Sequence, residues 1–112
     1  MTTPKTLTRL DVIRMLGDEH TGLDVLRSDP ALDKEVRKQL DGFRADLDTC
    51  QRKLVKKVLD DNTAAFKNNA KALQKISGEL RATIDDLDQI AKTLELLVKL
   101  VDVAQRLAAL AA

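Results

Sequence analysis

Apolar side chains recur along this chain at steps of three and four residues, which places them on one face of an α-helix. The longest series comprises Phe66, Asn69, Leu73, Ile76, Leu80, Thr83, Leu87, Ile90, Leu94, Leu97, Val101, Ala104 and Ala108. Because the steps of three and four alternate, the series is a sustained heptad, typical of coiled-coil-like packing. It passes through Ser77 and Gly78 without losing phase. The pattern therefore predicts one helix over about residues 63–110.

A second series precedes it and consists of Leu32, Val36, Leu40, Phe43, Leu47, Cys50 and Leu54. Asp29 resembles an N-cap and Pro30 suits a first helical position, so this helix is predicted over about residues 30–60. The apolar register is lost around residues 60–63, where Asp, Asn and Thr favour a turn. The two helices are expected to form a long antiparallel helical hairpin over residues 29–112.

The first 28 residues carry a shorter pattern and are predicted to form a short helix and a loop. Thr8 resembles an N-cap with Asp11 completing a capping box, and Gly17 is expected to end the helix. Residues 18–22 are expected to form a polar loop, and residues 23–27 a further single turn.

One charged stripe runs along the C-terminal helix, formed by Asp85, Asp88, Lys92, Glu95, Lys99, Asp102 and Arg106. At about 100° per residue, the remaining circumference from residue 93 onward is apolar over about 260°, far more than a surface helix needs. In a hairpin, everything past about residue 92 would extend beyond the preceding helix. We therefore expect this all-α chain to complete a helical bundle by oligomerisation or with a partner helix. The predicted interaction residues are Leu87, Ile90, Leu94, Leu97, Val98, Val101 and Leu107.

Composition restricts the function classes. The formal net charge is +1 and aromatic residues make up 2% of the 112 residues, which argues against nucleic-acid binding, even though a basic run includes Lys53, Lys56 and Lys57. The sequence contains no phosphate-binding glycine loop, no HExxH and no GxSxG motif. His20 is interpreted as a surface histidine and Cys50 as a small buried hydrophobe. We expect no enzyme activity, no cofactor and no metal site.

Two functional hypotheses follow. The first is a non-enzymatic protein–protein interaction or assembly module that acts through the apolar C-terminal helix. The alternative is a membrane-active protein that releases this helix into a bilayer, although its charged stripe makes insertion costly. The N-terminus lacks the apolar run of a signal peptide, and no uninterrupted apolar stretch is long enough for a conventional span, so the expected location is the cytoplasm.

Overall fold

A computed structural model describes residues 7–111 of the chain. This part forms four α-helices, and a short 3-10 helix at Leu87–Gln89 lies between the last two. The helices are α1 (Arg9–Arg27), α2 (Lys34–Lys56), α3 (Ala64–Thr83) and α4 (Ile90–Ala109). The predicted all-α class is confirmed, and the described residues contain no β-strand.

Helix α1 begins as predicted and ends later than predicted. Thr8 Oγ1 accepts a hydrogen bond from the Asp11 backbone N at 3.2 Å, and Asp11 Oδ2 accepts one from the Thr8 backbone N at 2.9 Å. This is the predicted capping box. The prediction that Gly17 ends the helix is wrong, because the helix continues to Arg27. A helical glycine costs about 1 kcal/mol relative to alanine, whereas burying Leu23, which is 1% exposed, contributes roughly 1.5–3 kcal/mol.

Helix α2 begins four residues later than predicted, at Lys34. Its N-cap is Asp33, whose Oδ1 accepts a hydrogen bond from the Glu35 backbone N at 2.8 Å. Asp29 instead closes a turn, since its Oδ1 accepts from the Ala31 N at 2.9 Å. The predicted turn near residues 60–63 is confirmed, and α2 ends slightly earlier, at Lys56.

The prediction of one helix over about residues 63–110 is wrong. As predicted, α3 is continuous through Ser77 and Gly78, but the chain reverses between Thr83 and Ile90. At the reversal, Asp86 has an extended backbone, and its Oδ1 accepts a hydrogen bond from the Asp88 backbone N at 3.0 Å. An aspartate that satisfies a nearby backbone N–H in this way competes with helix continuation. The reversal lays α4 back against α3.

The four helices form two antiparallel pairs, α1 with α2 and α3 with α4, which pack on each other around one apolar core. Around the bundle the order is α1, α2, α4, α3, because α1 also contacts α3 and α2 also contacts α4. Helices α2 and α3, which the sequence predicts to pair, therefore lie diagonally opposite each other. The smallest dimension of the bundle is 18 Å, consistent with two layers of helices whose axes are about 8–10 Å apart.

Candidate interaction surface

The predicted interaction residues of the C-terminal helix lie mostly inside the chain. Leu97 and Leu107 are fully buried and Val101 is 8% exposed. Leu87, Ile90 and Leu94 are half-buried and pack against the same core. Val98 is the only one of the seven that is exposed.

The expected overhang of the C-terminal helix does not exist in this fold. Because the chain reverses after Thr83, α4 lies between α2 and α3 and is covered along its length. The sequence is right that this helix has to be buried against other helices. The cover, however, comes from the same chain, so the overhang is no longer an argument for oligomerisation.

The charged stripe of the C-terminal helix faces solvent as predicted, and all seven of its residues are exposed. Glu95 pairs with Lys99 at 3.7 Å, and Asp102 pairs with Arg106 at 3.0 Å. Asp88, which is also part of the stripe, belongs to the 3-10 helix that precedes α4. These exposed pairs contribute little to stability, about 0.3–0.5 kcal/mol each.

Exposed large hydrophobic residues concentrate at one end of the bundle. Six such residues lie on the surface of the described chain, and four of them are at the end where α1 begins and where α2 and α4 finish. We call these four residues the apolar end: Leu10 (54% exposed), Val55 (57%), Val58 (80%) and Leu110 (37%). The other two, Val25 and Val98, lie elsewhere.

Arg9 holds the start of α1 against the end of α2. Its backbone N donates a hydrogen bond to Asp61 Oδ2 at 3.0 Å. Its guanidinium donates to the carbonyl oxygen of Lys57 at 3.1 Å and to that of Leu54 at 3.4 Å. Both carbonyls belong to the last turn or cap of α2, where helix carbonyls lack partners within the helix. These contacts place Leu10 at the same end of the molecule as Val55 and Val58.

The end of α4 reaches the same region along the other side of α2. A shallow cleft of about 240 Å³ lies between the two helices. It is lined by Asp46, Thr49, Cys50, Lys53, Gln105, Ala108 and Ala109. Since Lys53 of α2 faces Ala109 of α4 across this cleft, Leu110 emerges beside the last turn of α2.

Lysines border the apolar end. Lys53, Lys56 and Lys57 are exposed there, and two of them occupy the last turn of α2, where the negative end of the helix dipole favours cations. The neighbouring Arg52 is paired with Asp48 at 3.0 Å. The apolar end therefore combines four exposed hydrophobic side chains with exposed lysines at one end of the bundle.

These four residues are not apparent as a group in the sequence, because Val55 and Val58 lie outside the periodic apolar series of α2. The sequence offered one indication: Val55 and Val58 are apolar, adjoin lysines and lie off the buried face of α2. That signal was weak, since single exposed hydrophobic residues are common on protein surfaces. Leu10 precedes Ile13 by three residues and Leu16 by six, a spacing that favours the buried face of α1, yet it is 54% exposed.

A second feature missed by sequence analysis is a buried polar contact between α1 and α3. Glu19 is 6% exposed, and its Oε1 accepts a hydrogen bond from Ser77 Oγ at 2.5 Å. Burial raises the pKa of the Glu19 carboxyl, and the Ser77 hydrogen bond and nearby Arg81 oppose this effect. The signal for this site was periodicity, because Glu19 lies between Leu16 and Leu23 at steps of three and four, although residues 18–22 were predicted to be a loop.

His20 and Cys50 both lie against neighbouring helices. The interpretation of His20 as a surface residue is wrong: it is half-buried, and its Nε2 is buried without a hydrogen-bond partner among the described residues. Burial lowers the pKa of His20, and Arg44 of α2 adds to the effect. Cys50 is 4% exposed, as its interpretation as a small buried hydrophobe requires. Burial raises the pKa of its thiol, which favours the unreactive protonated form.

Comparison of the chain with protein-family models, curated proteins and solved structures finds no significant match. Within residues 7–111, no group of three His, Cys, Asp or Glu side chains is arranged to hold a metal ion. None of the helices in the described part combines the length and the apolar character needed to span a bilayer.

Proposed function

We propose that this chain is a helical protein–protein interaction module that binds its partner through the apolar end. The observation that carries the proposal is that, of the six exposed large hydrophobic residues between positions 7 and 111, four lie at one end of the bundle. Scattered exposed hydrophobic residues need no explanation, whereas a cluster bordered by polar groups is typical of a contact surface.

The surrounding structure favours a preformed binding surface. Leu10 lies in the first turn of α1, Val55 in the last turn of α2 and Leu110 directly after α4. Arg9 ties the start of α1 to the end of α2 through two hydrogen bonds and to the turn that follows α2 through a third. A surface carried by rigid elements loses little conformational entropy when a partner binds. The lysine border would orient that partner and disfavour a basic one.

The partner is proposed to be a second copy of the chain or another helical protein. This proposal replaces the interaction surface predicted from the sequence, which lay along the C-terminal helix, with the apolar end. The C-terminal helix contributes Leu110 at its cap, while Leu97, Val101 and Leu107 keep the bundle together. The membrane-active alternative would have to withdraw those buried residues from the core, so we do not carry it further.

Size-exclusion chromatography with multi-angle light scattering, run on the full chain at several concentrations, tests self-association. The informative variant is Val58→Asp, since Val58 is 80% exposed and makes a negligible contribution to the core. The matched control is Val25→Asp, which changes another exposed valine, 62% exposed, near the opposite end of α1.

We expect the wild-type chain to form a dimer or larger species, Val58→Asp to shift it toward the monomer, and Val25→Asp to leave it unchanged. Equal effects of the two variants on a stable oligomer would contradict the assignment of the surface. A wild-type chain that stays monomeric at all concentrations would rule out the second copy as partner. Binding to another helical protein would then be compared between the same two variants.

A further inference from the structure

The buried contact between Glu19 and Ser77 has no role in the proposed interaction surface. Among the described residues, Glu19 is the only Asp, Glu, Lys or Arg whose side chain is buried. It lies on the inward face of α1, one turn from Leu16 and Leu23, and reaches Ser77 on α3. A carboxylate in this position has lost nearly all of its contact with water.

An ionised Glu19 would be poorly compensated in the closed bundle. A carboxylate can accept several hydrogen bonds, but within the described residues Glu19 accepts one, from Ser77 Oγ. The charged groups around it are Arg81 on α3 and Asp18 on α1. Arg81 lies 4.0 Å from Asp18 at the exposed edge, where both side chains are solvated. On the α2 side, Arg44 and Asp48 face the neighbouring His20 instead.

The contact between α1 and α3 is also the least extensive of the four helix–helix contacts in the bundle. Apart from the Glu19–Ser77 contact, α1 comes close to the end of α3 at Gly22. A Cβ added at Gly22 would lie 3.1 Å from Cδ1 of Ile84, the C-cap residue of α3. In contrast, α1 is tied to α2 by polar contacts along its length, including Arg44 with Asp24 at 2.7 Å and Gln51 Nε2 with the Ile13 carbonyl at 3.1 Å. A local opening would therefore separate α1 from α3 before it separated α1 from α2.

We propose that the α1–α3 contact is a pH-operated joint, closed while Glu19 is protonated beside Ser77 and loosened when Glu19 loses its proton. The direction follows from the burial of Glu19, which favours the neutral carboxyl in the closed state. Opening lets the carboxylate reach water, so opening and proton release are coupled. The joint acts within one chain and does not depend on the apolar end.

The test is hydrogen exchange of the backbone amides of α1 and α3, measured on the full chain over a series of pH values and corrected for the intrinsic pH dependence of exchange. As pH rises above 4.5, the ordinary carboxyl pKa, the opening equilibrium constant at this contact should increase by up to about tenfold per pH unit. Glu19→Gln should remove the increase. Glu79→Gln, which neutralises an exposed glutamate of α3, should behave like the wild-type chain.

The variant Ser77→Ala distinguishes a pH-dependent joint from a purely structural role of the Glu19–Ser77 contact. Ser77 stabilises the ionised carboxyl in the closed state by donating a hydrogen bond, so its loss should leave the onset of opening near pH 4.5 and extend the rise in the opening equilibrium constant to higher pH. A direct titration of the Glu19 side chain by ¹³C NMR in the wild-type chain gives a measurement that does not depend on any variant. A pKa at or below the ordinary value, or the same pH profile in the wild-type and Glu19→Gln chains, would overturn the proposal.

Discussion

Glu19 and Ser77 are 58 positions apart in the chain and meet in the interior, where Ser77 Oγ donates a hydrogen bond to Glu19 Oε1 at 2.5 Å. They join the first helix to the third across the bundle. Buried polar groups are costly when unpaired and nearly neutral when paired. The pair therefore requires α1 and α3 to meet in one register.

The Glu19–Ser77 pair should show strong coupling in a double-mutant comparison. Near pH 4.5, Ser77→Ala should lower the free energy of unfolding by about 1–3 kcal/mol, because a buried carboxyl oxygen loses its donor. The double variant Glu19→Met, Ser77→Ala should recover most of this loss, since both polar partners are replaced by apolar groups. Urea unfolding followed by circular dichroism measures both values, and additive losses would contradict the coupling.

Adjacent residues of α4 should differ sharply in their contribution to stability. Leu97 is 0% exposed and Val98 is 57% exposed. Leu97→Ala should lower the free energy of unfolding by about 2–5 kcal/mol through lost burial and a residual cavity, whereas Val98→Ala should change it by less than about 0.5 kcal/mol. Thermal and urea unfolding provide the comparison. Equal losses would mean that α4 is not oriented as described.

His20 should make the fold less stable in acid. Burial lowers its folded-state pKa below the ordinary value of 6.5, so the unfolded chain binds the extra proton first. The contribution of neutral His20 is complete above pH 6.5 and is lost as pH falls through the lower, folded-state pKa.

Glu19 has the opposite effect, because its raised pKa makes the free energy of unfolding fall as pH rises above 4.5. The effect of His20 is therefore best measured in the Glu19→Gln background. Adding His20→Gln to this background should flatten the decline in unfolding free energy below pH 6.5. Parallel stability curves with and without His20 would show that its protonation does not distinguish the folded from the unfolded chain.

Local signals along the chain were read correctly where their physical cause is local. The Thr8–Asp11 capping box, the turn before α3 and the exposed charged stripe of α4 all depend on residues no more than about four positions apart. The errors at Gly17 and Asp86 are also instructive. At Gly17, burial of distant residues outweighed a weak local preference for ending the helix, and at Asp86 a side-chain hydrogen bond interrupted a pattern that kept its helical period.

The candidate surface was harder to predict, because exposure is a property of the assembled bundle. Leu10 has the same residue type as the buried Leu16, and both lie in one helix. Nothing in their local sequence says that the end of α2 leaves Leu10 uncovered. Likewise, Val58 lies at the same end of the bundle as Leu10, where Arg9 binds the carbonyls at the end of α2.

The sequence by itself determined that the chain is helical, where α1 and α3 begin, and that the C-terminal helix has to be covered on several sides. These properties follow from helical periodicity, capping and the amount of apolar surface. Only the tertiary structure decided what provides the cover: the chain turns back after Thr83 and places α4 between α2 and α3. The physical reason is that helix pairing depends on the summed packing of many side chains that are distant in sequence, whereas an apolar stripe shows only that a helix needs a partner.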